Sequence, residues 1–378
     1  MEVYFDNSST TKPFDEVIKT MVDIMKNYYG NPSSAHALGL KSEQKMNESR
    51  EIVARTINCS KDEIIFTSGG SESNNFLIRG FVKEGAHIIT SKIEHPSVLN
   101  TCKELEKQGV NVTYIDVDCK GNIDINQLED SINKDTQLVS IMHINNEIGI
   151  VQDIETIGRL IKEKSNRIKF HVDAVQSYGK YKIDVQRMNI DLLSTSGHKI
   201  HGPRGVSAAY LRKGLMPKPL IYGGGQERSF RSGTENLTAV AGFAKAAEKI
   251  YANREENYEK VLDIKNYFIN GLQNIPNIRV NSDGDEFSPY VLSVSFKGVR
   301  GEVLLHMLEE NGIYVSTGSA CSAKGNKDSY VLEAIGLKSD EIKGNIRFSF
   351  SEYSSKEEVD YTIENLHKAL KFLRRVSK

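Results

Sequence analysis

The chain has 378 residues, enough for a large core and about two domains. Its 49 basic and 50 acidic side chains nearly cancel, leaving no electrostatic reason to expect nucleic acid or an anionic membrane as a direct partner. No apolar run is long enough to span a bilayer. The start, Met1-Glu2-Val3-Tyr4-Phe5-Asp6, lacks the charged and apolar regions of a signal peptide, so a cytoplasmic protein is expected. Cys59, Cys102, Cys119 and Cys321 form no C-x-x-C pair and no zinc-finger spacing with histidine, which predicts free thiols and no metal site.

A short first strand leaves through Asn7-Ser8-Ser9-Thr10-Thr11. Asp15 and Glu16 open a helix with apolar residues at helical spacing from Val17 to Met25, and a second helix is expected over about 36–57. From Asp62 the pattern becomes strand, loop, helix, repeated. Glu63-Ile64-Ile65-Phe66 runs into Thr67-Ser68-Gly69-Gly70-Ser71-Glu72-Ser73. A glycine pair and hydroxyls at a helix start suit a phosphate, because unpaired N–H groups and the helix dipole face the anion. The same residues also suit a tight turn with a capping serine.

His87-Ile88-Ile89-Thr90 is the next strand, and His95 lies between its end and a helix opened by Pro96. Gln137 to Met142 reads as a buried strand ending in His143-Ile144-Asn145-Asn146-Glu147. Ile168 to Val172 ends in Asp173-Ala174-Val175-Gln176. Ile190 to Leu193 ends in Ser194-Thr195-Ser196-Gly197-His198-Lys199, and Val206 to Leu211 returns as a strand. Lys199 read alone fits a surface lysine as well as a reactive amine. Strands alternating with helices predict an α/β fold with a mostly parallel sheet, whose functional residues gather beyond the strands' carboxyl ends.

Gly223-Gly224-Gly225-Gln226-Glu227-Arg228 and Arg231-Ser232-Gly233-Thr234 form a polar loop, followed by a long helical region with a break near Asn253-Arg254. The last third reads as a separate α+β unit. Its strand at Ile346 to Phe350 carries Arg347, and Ser355 with Glu358 forms a capping box. Ahead of both, Cys321 sits among glycine, serine and alanine with nothing apolar to bury it, which favours reactivity over packing.

These pieces suit one cofactor. A phosphate wants Gly70 and Ser71; a protonated ring nitrogen wants the Asp173 carboxylate; an aldehyde wants Lys199 for a Schiff base; a flat ring wants His95. Together they describe pyridoxal 5′-phosphate. Arg347 is a candidate fork for a substrate carboxylate, or an ordinary ion pair.

With these motifs in order, the chain resembles the NifS/IscS-type cysteine desulfurases, class V enzymes of pyridoxal-phosphate fold type I. The resemblance runs from about Tyr4 to the final helix. It implies a large domain over 14–256 with a mostly parallel seven-stranded sheet, and a smaller α+β domain from 1–13 and 257–378 that carries the Cys321 loop. It implies that Lys199 is the Schiff-base lysine, Asp173 pairs with the ring nitrogen, Gln176 bonds the ring hydroxyl, and His95 stacks on the ring as an acid/base group. Gly70, Ser71, Ser196 and His198 hold the phosphate, with Thr234 from the other subunit of a homodimer. Asn146 and Arg347 bind the substrate carboxylate, and Cys321 accepts sulfur from L-cysteine as a persulfide, leaving L-alanine. The expected recipients are an iron–sulfur scaffold, with which Cys321 could transiently share a cluster, or a tRNA-thiolation enzyme. Family members serving a scaffold often carry a further C-terminal tail, and none follows Lys378, which leaves the recipient open. The alternatives are another class V activity, a selenocysteine lyase or an aminotransferase, and a cofactor-free sulfur carrier.

Overall fold

The computed structural model describes residues 1–318 and 328–376. In chain order the elements are β1 (Val3–Tyr4), α1 (Asp15–Asn27), α2 (Ala37–Thr56), β2 (Ile64–Thr67), α3 (Gly70–Arg79), β3 (His87–Ser91), α4 (Pro96–Glu106), β4 (Asn111–Ile115), α5 (Ile125–Ser131), β5 (Thr136–Met142), α6 (Ile154–Lys164), β6 (Lys169–Asp173), β7 (Leu192–Ser194) and β8 (Ser207–Leu211). Then follow α7 (Leu237–Ala252), α8 (Arg254–Leu272), β9 (Ile278–Val280), β10 (Val291–Phe296), α9 (Gly301–Glu309), β11 (Ile313–Tyr314), α10 (Tyr330–Ala334), α11 (Ser339–Lys343), β12 (Asn345–Ser349) and α12 (Lys356–Val376).

The central sheet has seven strands in the order β2-β8-β7-β6-β5-β3-β4. The run from β4 to β7 is parallel, as the alternating pattern predicts. β8 lies antiparallel to both β7 and β2. Two reversals restore direction, so β2 ends on the same edge as β3, β5, β6 and β7. The order also reverses at β3, with β4 on one side and β5 on the other. Ligands of such sheets bind beyond the carboxyl ends at that kind of switch point.

One face of the sheet packs under α1, α2, α6 and α7 through Val17, Val53, Ile157 and Phe243. The other packs under α3 and α4 through Phe76, Leu77, Val98 and Cys102. A separate core gathers Val3, Phe5, Phe268, Leu292, Val294, Phe348 and Leu366 around the β12-β10-β9 sheet. The N-terminal strand belongs to that second core. β1 pairs in parallel with β11, and Asn7 and Ser8 bond Ser349 at the end of β12. The segment after β1 then crosses back to the central sheet, where Thr11 bonds the His198 carbonyl. Along α1 Val17 and Ile24 are buried, while Ile18 and Met25 are exposed.

Candidate active site

The carboxyl edge of the sheet opens on a cavity of about 290 Å³. It brings together Gly70, Ser71, His95, Asn146, Asp173, Gln176, Ser196, His198, Lys199 and Arg347, which are scattered over the sequence. Ser8, Ser9, Asn74, Ser97, Met142 and Val175 complete the lining. Thr234 is exposed and does not line it. Cys321 lies outside the described residues. A larger cavity of about 530 Å³, lined by Phe14, His201, Lys249 and Tyr353, holds none of the expected site residues. Chemistry, not size, therefore selects the smaller one.

Asp173 ends β6 and is almost fully buried. Its Oδ2 accepts from Asn74 Nδ2 at 2.8 Å, and its Oδ1 from the Val175 N–H at 3.0 Å. Lys199 follows β7 in a short turn at Gly197–Lys199. Its Nζ donates to the Ser8 carbonyl and, at 2.8 Å, to the Ser9 carbonyl. Gln176 Nε2 also donates to the Ser8 carbonyl, at 3.0 Å. The polar exit after β1 therefore crosses the mouth of the main sheet. Sequence reasoning noted that exit but assigned it no role in the site.

His95 caps α4. Its Nδ1 accepts the Ser97 N–H at 3.1 Å and lies 2.8 Å from Ser97 Oγ. Burial holds the imidazole below its ordinary range, with Asp173 opposing and Lys199 reinforcing the shift. His198 is pushed down to about 4 by burial and by the charges of Lys199 and Arg204. Its Nδ1 lies 3.2 Å from Thr10 Oγ1.

Arg347 reaches the cavity from β12, across from the central sheet. It is buried, with Nη2 2.8 Å from Asp6 Oδ1 and 2.7 Å from Ser9 Oγ. Nη1 donates to the Asn146 carbonyl at 2.9 Å. Both expected carboxylate ligands thus touch each other, and an acid of the chain holds one arm of the fork. Asn145 and Glu147, beside Asn146, are structural. Asn145 Oδ1 accepts the N–H groups of Glu147 and Ile148, and Glu147 Oε2 accepts from Ser329 Oγ at 2.5 Å.

The other cysteines differ among themselves. Cys102 packs in the core, its thiol pushed up to about 12 by burial. Cys59 is half-buried, with its thiol raised, and Cys119 is exposed. Among the described residues no group of three or more His, Cys, Asp or Glu could hold a metal ion. None of the described helices is long and apolar enough to cross a membrane.

The family model for class-V aminotransferases matches residues 3–362. A curated relative from Dictyoglomus turgidum, named cysteine desulfurase IscS, is 42% identical over 381 residues, covering 100% of this chain and 96% of that protein. The chain belongs to the class-V aminotransferases, among their cysteine desulfurases. A solved NifS-like protein superposes with a TM-score of 0.92 at 39% identity, covering 98% of this chain and 100% of that one. A structure described as SspA in complex with cysteine has a TM-score of 0.83 at 38% identity, covering 93% of this chain and 100% of that one.

The cofactor of this family is pyridoxal 5′-phosphate, and the cavity fits it. Gln176 Oε1, Ser8 Oγ and Arg347 Nε are buried without a protein partner, although all three residues line the cavity. Buried polar atoms left unpaired are costly, and a polar ligand relieves that cost. A side chain at Gly70 would meet Val175 Cγ2 at 2.7 Å and the Thr195 carbonyl at 3.4 Å. With no side chain at Gly70, the backbone N–H groups at the start of α3 would be open to a phosphate.

Proposed function

We propose that this desulfurase takes sulfur from L-cysteine, yields L-alanine and leaves a persulfide on Cys321, using the cavity beyond β2, β3, β5, β6 and β7. The observation that carries the proposal is the meeting of Lys199, Asp173, His95 and Arg347 in one cavity from four distant parts of the chain. Pyridoxal 5′-phosphate, when bound, supplies an aldehyde for the substrate amine and a ring that takes up the electrons of the Cα–H bond.

The chain's own groups do the rest. Gly70, Ser71, Ser196 and His198 hold the phosphate. Asp173 keeps the ring nitrogen protonated, because a carboxylate beside it favours the charged form. Gln176 faces the ring hydroxyl and His95 the ring. Arg347 and Asn146 orient the substrate carboxylate. Lys199 moves the Cα proton at Nζ. The Cys321 thiolate then attacks the substrate sulfur: an S–S bond forms, the substrate's C–S bond breaks, and its carbon is protonated to alanine.

The proposal extends to a cytoplasmic homodimer in which Thr234, exposed on each subunit, reaches the partner's phosphate. It divides the chain at 13/14 and 256/257, on the strength of the separate core around β10 and β12. The sulfur passes to an iron–sulfur scaffold or a tRNA-thiolation enzyme. Purified protein should be yellow and should convert cysteine to alanine, and Lys199→Ala should do neither after removal of bound cofactor. A colourless protein indifferent to the cofactor would sink the proposal.

A further inference from the structure

Asn74 links Asp173, the group expected to pair with the ring nitrogen, to Ser97, which contacts His95. Its Nδ2 lies 2.8 Å from Asp173 Oδ2 and 2.8 Å from Ser97 Oγ. A carboxylate oxygen only accepts, so the amide must present its NH₂ there, and its two hydrogens go to Asp173 and Ser97. Ser97 Oγ, having accepted from Asn74, has its own hydrogen to give, and His95 Nδ1 lies 2.8 Å away. The Ser97 N–H also points at His95 Nδ1, at 3.1 Å. A backbone N–H cannot accept. Nδ1 therefore receives, and the proton of the neutral imidazole sits on Nε2.

We propose that Asn74 and Ser97 are positioning residues that fix the tautomer of His95, holding the neutral imidazole in its Nε2–H form. A proton arriving at Nδ1 would face the Ser97 N–H and break the cap of α4. The charged groups acting on His95 across the cavity are Asp173, which favours its imidazolium, and Lys199, which opposes it. Asn74 is buried, so its two bonds are shielded from water. This inference rests on the placement of His95 against the cofactor ring proposed above.

The test is the ¹⁵N spectrum of histidine-labelled holoenzyme across pH, with the His95 signals assigned from His95→Gln. The expected wild type shows a protonated Nε2 and a bare Nδ1, and does not take up a second proton until the pH is well below that of an ordinary histidine. Ser97→Ala removes the hydroxyl that donates to Nδ1, and Asn74→Ala removes the donor that orients that hydroxyl; each should raise the proton affinity of His95 about tenfold, one pKa unit. Ser97→Thr, which keeps the hydroxyl, should restore it. An Nδ1–H tautomer in the wild type overturns the inference. So does a His95 titration unmoved in every variant that folds. These spectra do not depend on turnover. A protein with the expected tautomer that forms no alanine would refute the desulfurase proposal and leave this one standing.

Discussion

Arg347 Nη2 lies 2.8 Å from Asp6 Oδ1, so the guanidinium expected to hold a substrate carboxylate holds one of the chain's own. Arg347 comes from β12 and Asp6 follows β1, yet Arg347 lines a cavity built by the other sheet. Asp6 and a substrate carboxylate would compete for the charge of one guanidinium. Arg347→Lys keeps the charge but loses the planar fork, and should raise KM for cysteine ~10- to 100-fold with cofactor content unchanged. Asp6→Asn weakens the competitor and should lower KM about two- to fivefold. Steady-state kinetics on both variants checks the pair.

The phosphate cradle makes a steric prediction. A Cβ added at Gly70 would stand 2.7 Å from Val175 Cγ2, an atom on a stiff, β-branched side chain. Gly70→Ala alone should weaken binding of pyridoxal 5′-phosphate about tenfold. Gly70→Ala with Val175→Ala should recover most of that loss. Equilibrium dialysis reads both.

A buried ion pair fixes the strand that leads into the cradle. Arg50 holds Glu227 through two bonds of 2.7 Å, and Glu227 also accepts the Phe66 N–H of β2 at 2.9 Å. Glu227, Arg228 and Ser229 all have left-handed backbone angles, so the ion pair also fixes a strained turn. Arg50→Ala leaves the Glu227 charge buried and unpaired, and should cost ~3–5 kcal/mol in denaturant unfolding.

Glu94 gives the pH dependence. It is fully buried, and burial lifts its carboxyl from an ordinary 4.5 to about 8, against the Ser91 and Met142 hydrogen bonds that lower it. The folded state thus binds this proton more tightly than the unfolded chain. The resulting stability is fully present below the unfolded value and is lost as pH rises through the folded one. Wild type should therefore lose more thermal stability than Glu94→Gln between about pH 5 and 8. Glutamine keeps the acceptor for Ser91 and Met142 and cannot ionise. Equal slopes would contradict this assignment.

Much of the site was legible because strand ends announce themselves. Asp173, Asn146 and His95 each follow a run of apolar residues and break it with polarity. Lys199 and Gly70 do the same, and the sheet order puts all five on one edge. Asn74 and Ser97 carried no such mark. Asn74 lies one turn into α3, and only its distance to Asp173 distinguishes it from any helical asparagine. Ser97 reads as a first-turn serine. Asp6 and Ser9 were hidden for another reason: β1 belongs to the small sheet, so a strand-end rule applied to the large one does not reach them.

The central claim is the sulfur's path through Cys321. Holoenzyme is incubated with ³⁵S-labelled cysteine, and bound label and alanine are measured together. The expected result is label on the peptide containing Cys321, released by reductant, with one alanine formed for each sulfur taken up; Cys321→Ala should hold no label and form no alanine. Undiminished conversion of cysteine to alanine by Cys321→Ala would contradict the account.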